Sequence, residues 1–349
     1  MTIKTLKFSL VFIALLSVMV SCNDDDDNDV EPFVEEDRTE QQIKDNDSLV
    51  TYLSSHYYNS SFFETGTDYK YTDIVIDELL DGETVPEGHT LLMDAVETRN
   101  ATYLDVDYEY YVLNLYQGDG ESPYFTDVIS VRYEGISIND ALQGELEPFD
   151  SSPIPAFFNL QTNGTTSTVI EAWQLVMPTF SASTNYSIDG NGNVNFMNPG
   201  LGIMFVPSGL AYFSGTNTGS SYDNLMFKFE LLKFEIEDHD EDGVPSYLED
   251  LNDDLDVTDN DTDENGFPDF VDIDDDGDEV LTIDEISQNS YTINTNEGEV
   301  EPMLADNEYV SGRFEEDGVI TLNTVVLIDS NNDGLPDYLD ADIAVDYNN

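Results

Sequence analysis

Four times in the last third of the chain, oxygen-bearing side chains recur at every second residue and a glycine follows the third. The runs are Asp238-His239-Asp240-Glu241-Asp242-Gly243, Asp261-x-Asp263-x-Asn265-Gly266, Asp272-x-Asp274-x-Asp276-Gly277 and Asp329-x-Asn331-x-Asp333-Gly334. Between Glu237 and Glu285 stand 23 carboxylates and no Lys or Arg, so a fold there has to contend with strong self-repulsion. The spacing suits calcium, a hard ion that takes six to eight oxygens at about 2.3–2.6 Å. A tightly curled loop turns alternate carboxylates inward, and glycine permits the sharp bend. Folding of this region is therefore expected to be coupled to ion binding. The rival reading is a solvated acidic run, and the glycines, prolines and aromatics at fixed offsets argue against it.

Three of these runs continue as Gly243-Val244-Pro245-Ser246-Tyr247, Gly266-Phe267-Pro268-Asp269-Phe270 and Gly334-Leu335-Pro336-Asp337-Tyr338. This extension resembles the thrombospondin type-3 calcium repeats, and the resemblance implies Asp250, Asp272 and Asp340 as trailing ligands. A second framing, from Asp274 through Asp276 and Asp278 to Glu285, is similar to an EF-hand loop with Glu285 as its twelfth ligand. In that version Glu279 takes the place where the loop wants glycine.

At the other end, Lys4 and Lys7 precede an apolar run from Phe8 to Val20 and the small residue Ser21, the layout of a secretory signal over residues 1–21. A run of thirteen residues, eleven of them apolar, is too short for a bilayer span, which needs roughly 20. The chain's one cysteine, Cys22, follows directly, and Met19-Val20-Ser21-Cys22 resembles the lipobox of bacterial lipoproteins, in which that cysteine is lipidated. A single cysteine excludes an internal disulfide framework. The acidic run Asp24 to Asp27 resembles the surface-export tag of Bacteroidetes-like lipoproteins, which implies a lipid-anchored protein of the outer membrane or cell surface. An ordinary cleaved signal with an incidental thiol is the alternative.

Composition divides the rest. Residues 22–40 are acidic and poor in large apolar side chains, as a flexible spacer is. Residues 41–104 combine a helical spacing of Ile43, Leu49, Val50, Leu53 and Tyr57 with a strand-like alternation over Asp73 to Leu79, an N-terminal extension expected to pack on its neighbour. Residues 105–236 hold short strand-like runs separated by turn clusters, with one helix near Val169 to Val176, and residues 237–349 are the acidic tail. A net charge of −65 excludes nucleic acid and anionic lipid surfaces as partners, leaving cations, neutral polypeptides and membrane contact only through a lipid anchor.

In the middle region five segments occur in order: Val131-Arg132-Tyr133-Glu134-Gly135, Phe149-Asp150-Ser151-Ser152, Val169-Ile170-Glu171-Ala172-Trp173, Phe205-Val206-Pro207-Ser208-Gly209-Leu210-Ala211-Tyr212 and Leu225-Met226-Phe227-Lys228-Phe229-Glu230-Leu231-Leu232. They resemble the successive motifs of FKBP-type peptidyl-prolyl isomerases. The resemblance implies an α+β fold, an antiparallel sheet wrapped around one short helix, with the N-terminal extension before it and a loop-rich calcium-binding tail after it. It also implies a proline pocket with Trp173 as floor, walls from Tyr133, Phe149, Phe158, Val169, Ile170, Tyr212 and Phe227, and the Asp150 carboxylate at the rim. Isomerisation needs no cofactor, and calcium would serve the tail.

Two departures bear on turnover. Gly219-Ser220-Ser221-Tyr222-Asp223 stands where the family has an Ile-Pro pair, and Ala156 stands where an aromatic is expected. The reading is thus an isomerase acting on X-Pro bonds of proline-containing polypeptides. Its rivals are a non-catalytic proline-peptide binder and a calcium-dependent adhesive surface lipoprotein.

Overall fold

In the computed structural model, residues 34–66, 68–163, 169–190, 192 and 194–348 are described. The expected signal segment, the expected lipidation site at Cys22 and the Asp24 to Asp27 run fall outside them. Helix α1 (Arg38–Ser55) opens at Asp37, whose side chain accepts the backbone N–H groups of Thr39 and Glu40 and so satisfies donors that the first helical turn leaves open. The helix thus takes in Arg38, Thr39 and Glu40, which composition alone assigned to the spacer. Three short strands, β1 (His56–Tyr58), β2 (Ile76–Glu78) and β3 (Thr90–Leu91), make a small antiparallel sheet, followed by the single-turn helix α2 (Leu92–Ala95).

The main sheet contains β4 (Glu97–Tyr103), β5 (Val106–Tyr116), β6 (Val128–Ser137), β7 (Asp150–Asn159), β10 (Gly200–Val206) and β11 (Leu225–Glu235). Between these strands lie α3 (Ile138–Ala141), α4 (Glu171–Val176) and the hairpin of β8 (Asn185–Ile188) and β9 (Val194–Met197). The hairpin lies within the stretch between Pro178 and Pro199. The six strands run in the order β4-β5-β10-β11-β6-β7, every neighbouring pair antiparallel.

Alternate side chains of a strand point to opposite faces, and here both faces are apolar. Tyr110, Val112, Ile129, Val131, Tyr133, Met204, Val206, Phe227 and Phe229 face α4 and Trp173. Their neighbours Tyr111, Leu113, Ile136, Leu201, Ile203, Phe205 and Met226 face Leu49, Tyr52 and Leu53 of α1. The sheet is therefore covered by a helix on each side. The alternation of one face with acids in Tyr108–Tyr116 gives little hint of the second cover, because Tyr, Glu and Asn at the strand ends mask it.

A buried polar knot fixes α1 to the sheet. Asp45 accepts from Gln41 Nε2 at 2.6 Å, from Ser208 Oγ at 2.6 Å and from the Ser208 backbone N–H at 2.9 Å. Burial pushes the Asp45 carboxyl up, and the Ser208 and Gln41 hydrogen bonds oppose that.

The tail is less uniformly loop than its composition implies. After the single-turn helix α5 (Thr282–Glu285), strands β12 (Ile286–Asn294), β13 (Glu308–Glu316) and β14 (Val319–Leu327) form a second antiparallel sheet in the order β12-β14-β13. The tail docks on the middle region through stacked Tyr124 and Tyr247, ring centroids 3.5 Å apart, and through an apolar cluster of Phe125, Val257 and Phe270. His239 adds a hydrogen bond to the Gln161 carbonyl at 3.1 Å. Among the described residues no helix is long and apolar enough to cross a membrane.

Candidate binding cavity and acidic loops

Trp173 sits on α4 with only 3% of its surface exposed, held edge-on between Phe158 at 5.1 Å and Tyr133 at 5.8 Å, with Phe227 tilted against it at 5.2 Å. Such edge-to-face contacts set the positive ring edge against the negative face of a neighbour. The indole is nevertheless not sealed. It borders a cavity of about 820 Å³ that Tyr133, Asp150, Phe158, Val169, Ile170, Tyr212 and Phe227 also line. Phe149 stands one ring further out, packed on Tyr212 and Phe227 at centroid distances of 6.5 and 5.8 Å. All nine candidate pocket residues are thus gathered in one place, eight on the wall and Phe149 behind it.

The strands explain the gathering. Tyr133 on β6 pairs with Ser152 on β7, which brings Asp150 within reach of the Tyr133 hydroxyl, and that hydroxyl donates to Asp150 Oδ2 at 2.6 Å. Burial first and the Asp150 bond second raise the Tyr133 phenol above its ordinary pKa. Tyr212 is likewise raised, by burial and then by Asp150, so both phenols remain proton donors across the neutral range. Glycine is required at position 135, where an added Cβ would lie 2.6 Å from Phe227 and 2.9 Å from Phe149. Ser208 and Arg38 anchor the turn before Tyr212: Asp45 binds the serine, and the Arg38 guanidinium donates to the Gly209 carbonyl at 3.2 Å. Asp45 and Arg38 could not be found from sequence, since an Asp and an Arg on a polar helix read as surface residues.

The remaining walls come from elsewhere than expected. Residues Gly219 to Asp223 do not line the cavity, and Tyr222 instead packs on Phe213 at 5.0 Å. The cavity is lined further by Asn100, Ala101, Thr102, Tyr103 and Leu104 around the end of β4, and by Asp254, Leu255, Asp256 and Thr258 of the acidic tail. Glu171 also faces the cavity, and burial together with the Asp256 charge pushes it up to about 7.

In the tail the backbone fixes a register that the glycines alone left ambiguous. Left-handed residues fall in pairs two apart: Glu241 and Gly243, Asp253 and Leu255, Glu264 and Gly266, Gly277 and Glu279, Asn332 and Gly334. Counting each pair as the fourth and sixth positions, the loops begin at Asp238, Asp250, Asp261, Asp274 and Asp329. The twelfth residues are then Glu249, Asp261, Asp272, Glu285 and Asp340, all acidic. The first carboxylate of a loop accepts the N–H of the sixth residue: Asp238 from Gly243, Asp250 from Leu255, Asp261 from Gly266 and Asp329 from Gly334, at 2.9 to 3.0 Å.

This register revises the place of Asp250 and, at Asp272 and Asp274, follows the second framing, with Asp272 trailing the loop before it as the thrombospondin-like extension implies. Asp250, expected to trail the first loop, opens a loop of its own, hidden in the sequence because Leu255 holds the glycine position. Glu249, not Asp250, stands beside Asp242. The run expected to begin at Asp272 begins at Asp274, with Glu285 closing it, so Asp272 ends the preceding loop.

Whether these residues fit a cation can be judged from their oxygens. Asp238, Asp240 and Asp242 bring carboxylate atoms within 4.8 Å of one another, as do Asp274, Asp276 and Asp278. Asp238 Oδ1, Asp240 Oδ2, Asp242 Oδ2, Asp274 Oδ1, Asp276 Oδ2, Asp278 Oδ2 and Glu285 Oε1 are buried with no hydrogen-bond partner. Buried anionic oxygens without partners are costly, and an all-oxygen hard-ion shell is what satisfies them. Burial and mutual repulsion push Asp276 up to about 6 and Glu285 up to about 8. The outer loops are more open: Asp261, Asp263, Asn265 and Asp272 form one partly exposed set in which Asn265 Nδ2 donates to Asp263 and Asp272. In another, Asn331 Nδ2 donates to Asp333 and Asp340, both at 2.9 Å, beside Asp329.

Residues 239–312 match the family model for the BamM C-terminal region, a match confined to the tail. No curated protein matches the chain. Among solved structures, a peptidyl-prolyl cis-trans isomerase from Pseudomonas syringae pv. tomato aligns at 19% identity, covering 39% of this chain and 80% of that one, with a TM-score of 0.27. FkpA from Escherichia coli aligns at 22% identity over 39% of this chain and 51% of its own length, about half, also with a TM-score of 0.27. Likeness at that level says nothing of activity.

Proposed function

We propose that the middle region is an FKBP-type prolyl isomerase domain, displayed at the outer membrane or cell surface on a chain lipidated at Cys22, and that the tail is a calcium-binding module akin to thrombospondin type-3 repeats. The observation that carries the catalytic reading is the cavity of about 820 Å³ beside Trp173, with aromatic walls and two phenols at its rim. Rotating an X-Pro amide means crossing a barrier of about 18–20 kcal/mol set by amide resonance. A water-poor cavity favours the twisted amide, whose C–N bond has lost its double-bond character. Trp173 and Phe227 would seat the proline ring, and Tyr212 would donate to a substrate carbonyl. Asp150, held by Tyr133, would accept from the peptide at the rim. No cofactor enters this chemistry.

The lipobox-like Met19-Val20-Ser21-Cys22 supports the anchor, and the BamM C-terminal match in the tail supports an outer-membrane setting. The orphaned carboxylate oxygens support calcium. When bound, the ion would supply charge neutralisation and cross-linking, held in the first loop by Asp238, Asp240 and Asp242.

A protease-coupled assay on a proline peptide tests the isomerase. The wild type is expected to accelerate isomerisation, Trp173→Ala to abolish it and Tyr212→Phe to reduce it roughly tenfold, the loss of about one hydrogen bond to a polarised group. Equal rates with wild type and Trp173→Ala would remove the enzymatic claim. One observation favours the non-catalytic binder as second reading: the segment Gly219 to Asp223, in place of the family's Ile-Pro pair, does not reach the cavity. Peptide affinity by NMR titration without rate enhancement would select it.

A further inference from the structure

The deepest carboxylates of the tail do not belong to any one loop. Asp242 comes from the loop that begins at Asp238, Glu249 closes that loop, and Asp275 comes from the loop that begins at Asp274. One ligand atom from each lies within 4.8 Å of the other two. Asp242 is 2% exposed, and Glu249 and Asp275 are each 1% exposed. Both oxygens of Glu249, both of Asp275 and Oδ2 of Asp242 are buried with no hydrogen-bond partner. The other oxygen of Asp242 is occupied by the Val244 N–H at 2.8 Å.

This placement is not what an acidic loop gives by itself. Asp275 is the second residue of its loop, a position the every-second-residue pattern sends away from that loop's own oxygens. It points instead into the first loop. The two loops are in contact there: an added Cβ on Gly243 would lie 2.7 Å from Ile283 and 2.8 Å from Ile286. Buried Thr282 meets the Asp275 N–H through its hydroxyl at 3.3 Å. No Lys or Arg occurs between Glu237 and Glu285, so no side-chain cation of the tail's acidic stretch can neutralise the group. Three buried carboxylates with five of their six oxygens unpartnered would cost several kcal/mol per ion if left charged and unpaired.

The geometry points to a divalent cation site formed by Asp242, Glu249 and Asp275, a calcium clip that fastens the first acidic loop to the fourth. It rests on the calcium reading above and goes beyond the loop sites through Asp275, which is the second residue of its own loop and is brought to Asp242 and to Glu249, the closing residue of the first loop. Ligands about 2.3–2.6 Å from one ion lie up to about 5 Å from each other, which accommodates the observed spacing. Asp242 would be shared between this ion and the first loop's own site. The chain between the fastened loops includes Asp254, Leu255, Asp256 and Thr258, so the clip holds the part of the tail that walls the cavity.

The test counts calcium ions on the full chain by native mass spectrometry and follows thermal unfolding with and without calcium. Asp275→Asn is expected to bind one ion fewer than the wild type and to show a smaller calcium-induced rise in Tm. Asp253→Asn, which removes the same charge from an exposed residue of the same tail, is expected to keep the wild-type count. Removing an unpaired buried carboxylate should raise the calcium-free Tm, so Asp275→Asn does not jeopardise folding. An unchanged ion count and an unchanged calcium-induced rise in Asp275→Asn would overturn the clip while leaving the loop sites intact. A wild type that binds no calcium would overturn the calcium reading as a whole, and the clip with it.

Discussion

The cavity region and the acidic tail bury polar groups in opposite ways. Around Trp173 the hydrogen-bonded groups that hold the pocket have their partners within the chain: Tyr133 has Asp150, Asp45 has Ser208 and Gln41, and the apolar faces of the sheet supply the rest of the cohesion. In the tail the apolar cluster under the first loop is small, with Val244, Ile286, Val325, Leu327, Tyr338 and Leu339 at its centre, while carboxylates beside it lie buried and unpartnered. One region holds its stabilising interactions in its own side chains. The other buries carboxylates whose partners, on the calcium reading proposed above, come from outside the chain.

The sharpest way to break that comparison is to remove the ions. With calcium at about 100 times its dissociation constant each independent site adds roughly 2.7 kcal/mol, and about 4 °C or more per kcal/mol is expected for a region of this size. Chelation should therefore lower the tail's transition by on the order of 10 °C or more, followed by calorimetry, and leave the middle region's transition within a few degrees. Equal shifts in both would mean that the two regions do not differ in this way.

A smaller effect should run in the opposite sense. Asp45→Ala leaves the Ser208 hydroxyl and backbone N–H without an acceptor, a loss of about 2–3 kcal/mol for a buried charged hydrogen-bond centre. Urea unfolding followed by Trp173 fluorescence should show this loss in the middle region, together with reduced peptide turnover as the turn before Tyr212 loosens. Calcium affinity should not change.

How much of this was legible follows from the same contrast. The pocket was readable because it depends on residue types at ordered positions, and the aromatic side chains that face α4 are those the ordered segments single out. The second cover, α1 on the far face, was not, because its apolar residues Leu49, Tyr52 and Leu53 are interspersed with acids and its anchor Asp45 resembles any surface carboxylate. In the tail, composition pointed to calcium but not to register. Glycine is only the commonest way to reach a left-handed backbone, and Leu255 and Glu279 reach it at φ of 69° and 80° without glycine. The tail's second sheet is hard to read from sequence because β12 and β13 carry few apolar residues and β14 interrupts its own with Thr321, Asn323 and Thr324.

Titration should separate the regions again, by sign. Without calcium, burial and neighbouring charges push Asp275 up to about 10, Glu285 up to about 8 and Asp276 up to about 6. Each folded-state pKa then exceeds the unfolded value near 4, so the stability these groups contribute is complete below about pH 4 and is lost as pH rises toward 10. With calcium the ions compete with protons for the same oxygens, and stability should rise between pH 5 and pH 7. In the middle region Asp127 and Glu171, each raised to about 7 chiefly by burial, should lower stability between about pH 4 and 7 whether calcium is present or not. Melting curves at pH 5 and 8, in chelator and in calcium, distinguish these cases, and a tail that melts alike in both solutions would contradict the assignment.

The smallest expected effect lies where the two regions meet. Leu255 is held at a left-handed backbone angle that costs a non-glycine residue about 1–2 kcal/mol, yet it is more than half exposed and lines the cavity. Leu255→Gly removes that strain but adds freedom to the unfolded chain worth about 0.5–1 kcal/mol, for a net gain of about 0.5 kcal/mol. Glycine serves the equivalent place at 243, 266 and 334 and Glu279 serves it in the loop that begins at Asp274, so the ion alone does not call for a leucine at 255. The strain makes sense if the leucine is kept for its contact with whatever occupies the cavity. The variant should therefore gain slightly in calcium-bound Tm while its KM for proline peptides rises, and an unchanged KM would show that the tail is only a neighbour of the cavity and not part of its wall.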